Sequence, residues 1–141
     1  MWMSKEQKAR LTAYRAAMDA AVESVREDAA AINRVATLVR PWKPEACAVG
    51  DVRVYDGIPY RCVQAHDSTQ NPDWTPDATP ALWMQYHGTT PETARPWVAP
   101  AGAHDMYRAG EYMIWTDGLT YRCKQDTNFS PAEYAQAWEA V

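Results

Sequence analysis

An α+β fold in segregated parts is predicted for this chain: a long N-terminal α-helix, then two small all-β modules of short antiparallel strands. Three observations predict it. Residues 4–39 contain neither Gly nor Pro and place an apolar residue at every seventh position, Leu11, Met18, Val25, Ile32 and Val39. Residues 50–63, GDVRVYDGIPYRCV, alternate apolar and polar side chains on one side of Asp56-Gly57 and return as a second strand beyond it, the pattern of a tight hairpin. The same phrase recurs over residues 110–124 as GEYMIWTDGLTYRCK, so the unit that contains the hairpin is present twice.

The helix is read over 4–39. Ser4 followed by Gln7 has the form of a capping box, in which hydroxyl and amide satisfy orphan backbone donors. Alanine is abundant, which favours helix. Tyr14, Ala21 and Val35 form a second apolar row, interrupted by Asp28. A seven-residue repeat of this length is a coiled-coil signature, and it predicts self-association as a dimer or trimer through residues 4–39. The alternative is a long helix that packs back on its own modules. Arg40-Pro41 ends the helix, because the residue before proline is pushed out of the α region.

Residues 1–40 thus form the helical segment, 41–87 the first module, 88–96 a linker rich in Gly, Thr and Pro, and 97–141 the second module. The modules correspond residue by residue. Trp42 matches Trp97, Cys47 takes the place of Tyr107, and Gly50-Asp51 matches Gly110-Glu111. Tyr60-Arg61-Cys62 matches Tyr121-Arg122-Cys123, Trp74 matches Phe129, and Trp83 matches Trp138. One additional residue near Thr116 predicts a bulge or a three-residue loop in the second turn.

Seven Trp and eight Tyr stand against a single Phe; large rings suit both a thin core and an exposed binding face. The net charge of −4 is uneven: residues 41–141 carry seven Lys/Arg and thirteen Asp/Glu. That balance, without a basic stripe, argues against nucleic acid as a partner. No apolar run is long enough to insert in a membrane, and the first ten residues lack the apolar core of a signal peptide, so synthesis in a cytoplasm is expected. Cys47, Cys62 and Cys123 form no zinc pattern. The matched pair Cys62 and Cys123 reads as small packing residues, and a Cys47–Cys62 bridge is left open.

The residues Trp42, Ala48-Val49-Gly50-Asp51-Val52, Tyr55-x-Gly57-x-x-Tyr60-x-Cys62, His66, Trp74-x-Pro76 and Leu82-Trp83 resemble the chitin- and cellulose-binding modules of carbohydrate-binding families five and twelve. The resemblance extends to the second module. The whole chain is similar to short bacteriophage and prophage tail-associated proteins with an N-terminal helix and two such modules. The resemblance implies a virion component, made in the bacterial host, that recognises a polysaccharide or cell-surface glycan. It also implies that Tyr60, Trp83, Tyr121 and Trp138 are structural aromatics. A structural adaptor that binds other phage structural proteins is the alternative, and an accessory domain of a chitinase or lysin is a weaker one.

Sugar rings present CH-rich faces that stack on aromatic rings, while their hydroxyls need polar neighbours. The candidate ligand-binding residues are Trp42, Tyr55, His66 and Trp74 in the first module, with Gln70 and Asn71 as polar neighbours. In the second they are Trp97, Trp115, Phe129 and Tyr134, with Asn128. Trp42, Trp74 and Trp97 are expected to lean on the core, and Tyr55 and Trp115 to face outward. His66, His87 and His104 are scattered, and no glycine-rich phosphate loop or nucleophile elbow is present. No catalysis, metal or cofactor is expected.

Overall fold

The computed structural model describes residues 2–141. Helix α1 spans Lys5–Ser24 and opens with the expected capping box: the Gln7 amide N–H donates to Ser4 Oγ at 3.1 Å and the Ser4 N–H donates to Gln7 Oε1 at 2.8 Å. The helix does not continue to Val39. It ends at Val25, α2 occupies Ala29–Arg34, and a 3-10 turn follows at Ala36–Leu38. The reading of one helix over 4–39 is corrected at Asp28. Its carboxylate accepts the Ala31 N–H at 3.2 Å and caps α2, a role that Asp fills better than a helix interior. The carbonyl freed at the break is satisfied from the first module, where the Tyr86 hydroxyl donates to the Arg26 oxygen at 2.6 Å. Arg61 pairs with Glu27 across the same junction at 2.8 Å.

The heptad residues are divided between two environments. Val22, Ile32 and Val39 are buried together with Val52 and Tyr86, and Val25, Val35, Leu38, Val54 and Met84 pack around them. A continuous coiled-coil seam from Leu11 to Val39 is therefore not formed, since its C-terminal half is the core between the helical segment and the first sheet. Asp19 ties α1 to the end of the segment by its ion pair with Arg40 at 2.8 Å, and Arg15, paired with Asp19 at 2.6 Å within α1, donates to the Leu38 carbonyl at 2.5 Å. The Arg40 guanidinium bonded to it is the chief reason that the Asp19 carboxyl is held below the usual carboxylate range.

Strands β1 (Ala46–Cys47), β2 (Val52–Tyr55), β3 (Ile58–Cys62), β4 (His66–Asp67) and β5 (Trp83–Gln85) follow. β1 pairs with β4, and a separate sheet has the order β2-β3-β5, antiparallel throughout. Asp56 and Gly57 carry the hairpin at φ of 52° and 75°, the left-handed pair that a two-residue turn demands. The remaining strands are β6 (Arg95–Pro96), β7 (Tyr112–Ile114), β8 (Thr120–Cys123) and β9 (Trp138–Ala140), in the order β6-β7-β8-β9 with β6 parallel to β7. The additional turn residue makes a three-residue loop: the Trp115 N–H donates to the Leu119 oxygen at 3.0 Å around Gly118, whose φ is 81°. The two hairpins have a backbone hydrogen bond in common. Gly50 N–H to the Cys62 oxygen and Gly110 N–H to the Cys123 oxygen are both 2.8 Å.

The segment read as a linker is built into the body. Thr90 and Thr93 cap a 3-10 turn at Pro91–Thr93, and β6 joins the second sheet. Asn33 of α2 donates to the His87 carbonyl at 3.0 Å, and Arg95 donates to the Tyr86 carbonyl at 2.5 Å. Burial holds the Arg95 guanidinium below its ordinary pKa. The His87 ring stacks on Tyr107 at 3.7 Å and its Nδ1 meets Glu111 at 2.8 Å. Composition predicts a tether here because Gly and Pro are common in linkers, yet Gly88 is small for a packing reason. A Cβ there would lie 2.3 Å from the Thr93 carbonyl oxygen. Gly88→Ala is expected to cost about 1–3 kcal/mol or more through this overpacking. Urea unfolding checks it, and an unchanged midpoint would show that the segment gives way freely.

Cys47, Cys62 and Cys123 are free and buried, so the possible Cys47–Cys62 bridge is not formed. Burial pushes the Cys47 and Cys123 thiols up to about 11, which keeps them neutral in the core at physiological pH.

Candidate functional site

Two pairs of candidate aromatics fall at equivalent places. Trp42 and Trp97 lie on short segments that run parallel to the first hairpin strand of each module. Their backbone N–H groups donate to the Val54 oxygen at 2.8 Å and the Ile114 oxygen at 2.9 Å. This brings Trp42 against Tyr55, centroids 5.8 Å apart and planes at 88°, and Trp97 against Trp115, at 5.8 Å and 78°. All four rings are half-buried. Trp97 also stacks on Tyr107 at 5.0 Å and meets Trp138 edge-on at 6.0 Å. The outward-facing reading of Tyr55 and Trp115 is thus corrected in part. Each ring is partly covered and has a neighbouring indole set nearly perpendicular to it, so neither stands free of the core.

His66 belongs to the packing of the first module. β4 sets it opposite Cys47, and its ring meets the buried Trp83 edge-on at 5.6 Å. Its Nδ1 lies 2.7 Å from the Gln64 carbonyl, and its Nε2 is buried without a partner. In the second module Tyr107 faces Thr127 at the equivalent bridge. A large ring on one strand and a small residue on the other fill the same space in both modules, with the roles exchanged. Tyr60, Trp83 and Trp138 are buried, while Tyr121 is half-buried and donates its hydroxyl to Asp117 at 2.7 Å.

Among the candidate ligand-binding rings, the exposed ones are on the loops that follow the hairpins. Trp74 is 37% exposed and Phe129 is 55% exposed, each nine residues before its closing Trp. The expectation that Trp74 leans on the core is reversed, and the loops explain why. Ser68 is fully buried, and its carbonyl accepts the Asn71 N–H at 2.8 Å; Trp74 N–H then donates to the Asn71 oxygen at 3.0 Å. The backbone turns tightly there and the indole remains at the surface.

The second loop is held from both ends. The Trp138 Nε1–H donates to the Phe129 carbonyl at 2.9 Å, and the Phe129 N–H donates to Thr127 Oγ1 at 2.9 Å. Ser130 and Glu133 cap the next turn reciprocally, with Glu133 N–H to Ser130 Oγ at 3.2 Å and Ser130 N–H to Glu133 Oε1 at 3.1 Å. The result is an open depression lined by Met106, Asp126, Asn128, Phe129, Glu133 and Tyr134. The Tyr134 hydroxyl accepts from Gln125 at 3.2 Å. An apolar ring set among amide, hydroxyl and carboxylate groups can stack on the CH face of a sugar and bond its hydroxyls. The backbone N–H of Ala109, then the Arg108 guanidinium, hold the Asp126 carboxyl below its usual range, so it stays a hydrogen-bond acceptor.

The structure therefore brings Phe129, Tyr134 and Asn128 together and leaves Trp74 exposed in the first module. It assigns Trp42, Tyr55, His66, Trp97 and Trp115 largely to packing. Met106, Asp126 and Glu133 complete the depression and were not among the sequence candidates. Glu133 is signalled by the Ser-x-x-Glu spacing from Ser130; Met106 carries no such signal. Among the described residues, no group of three or more His, Cys, Asp or Glu side chains is placed to hold a metal ion, and no helix is long and apolar enough to cross a membrane.

Residues 42–84 match the family model of carbohydrate-binding module family 5/12. Over 40 residues the chain is 50% identical to streptogrisin-C from Streptomyces griseus. That alignment covers 28% of this chain and 8% of the relative, so the chain spans only a small part of the relative's length. A family GH18 chitinase from Chromobacterium violaceum is similar at 29% identity over 43% of this chain and 16% of its own, with a TM-score of 0.32.

Proposed function

We propose that this chain is a non-catalytic binding protein that recognises polysaccharide or cell-surface glycan through its loop rings, the exposed Trp74 in the first module and the exposed Phe129 with the half-buried Tyr134 in the second. The observation that carries the reading is that both modules expose an aromatic at the same place, nine residues before the closing Trp. The family match over residues 42–84, which includes Trp74, supports it. On the resemblance of the whole chain to phage tail-associated proteins, the proposal sets this binding on a virion. Two weak sites, each of roughly millimolar affinity, gain from being linked and from repetition on one particle.

Retention on insoluble chitin, cellulose and bacterial cell-wall preparations tests it. Trp74→Ala and Phe129→Ala should each weaken retention, and the double variant should lose roughly tenfold or more in affinity, about 1.4 kcal/mol. Phe129 is 55% exposed, so its substitution should move the melting temperature little, whereas that of Trp74, at 37% exposed, should lower it modestly through lost packing. Absence of retention on every polysaccharide, or a double variant that binds like the parent, would remove the glycan reading. Capture by a purified tail protein instead would replace it with the adaptor reading. Labelling of intact particles with an antibody to this chain tests the virion placement.

A further inference from the structure

The N-terminal half of α1 stands clear of the modules. Every residue from Lys5 to Tyr14 is exposed, and burial along the helix begins only at Arg15. Leu11 is 51% exposed and Tyr14 61%. With Met18 they form a stripe at helical spacing that continues into the buried Val22. At 3.6 residues per turn, Lys8 borders this stripe on one side and Arg10 on the other; Arg15 follows Lys8 but is paired with Asp19, and no acidic residue occurs from Gln7 to Met18. Two such helices laid stripe to stripe would set these cations against one another. What fits the stripe is an apolar surface with an acidic border.

The same molecule presents one. Phe129 and Tyr134, with Met106, form the apolar part of the depression in the second module, and Glu133 borders it together with Asp126, which is paired with Arg108 at 3.1 Å. It belongs to the half of the chain, residues 41–141, where thirteen acidic residues oppose seven basic ones. We propose that the projecting end of α1 in one copy docks on the Phe129–Tyr134 depression of a second copy. Leu11 and Tyr14 lie against Phe129 and Tyr134, and Lys8 and Arg10 face Glu133. The contact is head-to-tail, because each copy offers a helix end and a depression, so it propagates into a ring or a filament. It does not depend on the glycan reading. Where both hold, a docked helix occupies the second module and leaves Trp74 of the first free for sugar.

Sedimentation of the full chain tests this. The weight-average mass should rise with concentration between about 10 µM and 1 mM, as for a small transient interface. The rise should shrink in about 1 M salt, where the screening length falls to about 3 Å. Leu11→Asp and Phe129→Ser should each remain monomeric, with circular dichroism confirming that both are folded. An equimolar mixture of the two should form a dimer and nothing larger, since it contains one intact helix end and one intact depression per pair. Tyr14→Ser repeats the first arm should Leu11→Asp fold poorly. A parent chain that stays monomeric at low salt overturns the proposal. So does a Phe129→Ser protein that associates like the parent, which would mean helix–helix pairing. Leu11→Asp should keep its polysaccharide retention, and loss of retention in the parent would leave the sedimentation result standing.

Discussion

Trp138→Ala is expected to destabilise the protein by about 3–5 kcal/mol, the cost of truncating a large buried aromatic. Trp138 is 4% exposed and lies in a cluster with Tyr107, Met113, Cys123 and Ala137. It meets Tyr107 edge-on at 5.3 Å and Trp97 at 6.0 Å, so its removal strips partners from two further rings. In so small a module few other contacts compensate. The indole also closes the candidate loop through its bond to the Phe129 carbonyl. Trp138→Phe keeps most of the apolar area and loses that bond, at a further cost of about 1 kcal/mol. Trp83 is the control, because its Nε1 has no partner. Trp83→Phe should therefore be milder than Trp138→Phe. Urea denaturation followed by tryptophan fluorescence measures all three, and equal effects of the two Phe substitutions would show that the Phe129 hydrogen bond contributes nothing.

Ile32→Ala is expected to cost about 2–5 kcal/mol, whereas Leu11→Ala, one face of the same heptad pattern, should stay within about 0.5 kcal/mol. Ile32 has no exposed surface and packs with Val22, Val39, Val52 and Tyr86. Its truncation leaves a cavity where the helical segment meets the first sheet. Hydrogen exchange should then show α2 and the end of α1 losing protection before the strands do. Leu11 contacts no such core, and its loss is felt only in association. Equal effects at the two positions would mean that the heptad residues act as one seam.

Much of the fold was legible because local chemistry decides it. The Ser4–Gln7 capping box, the left-handed Asp56-Gly57 turn and the three-residue turn around Gly118 each need only neighbours in sequence. The likeness of the two hairpins was legible because the same residues return at the same spacing, down to Cys62 opposite Trp83 and Cys123 opposite Trp138. The break at Asp28 was half legible. The interruption of the apolar row was visible, but the Tyr86 hydroxyl that donates to the freed carbonyl comes from sixty residues away. The candidate site divided along similar lines. The packing of Trp42 and Trp97 was expected from the sequence, whereas the exposure of Trp74 depends on how the folded loop turns around Ser68 and Asn71.

By itself, then, the sequence determines a capped helix, two copies of one hairpin and the aromatics that each copy contains, since these follow from short-range backbone preferences and from repetition. Tertiary structure alone decides where the apolar surfaces go. It turns half of a regular heptad pattern inward onto Val52 and Tyr86, fits Gly88 against the Thr93 carbonyl, and exchanges Tyr107 and Thr127 for Cys47 and His66. The reason is that burial is a property of distant neighbours: Leu11 and Ile32 carry similar side chains in one register, and only the sheet beneath Ile32 makes it core.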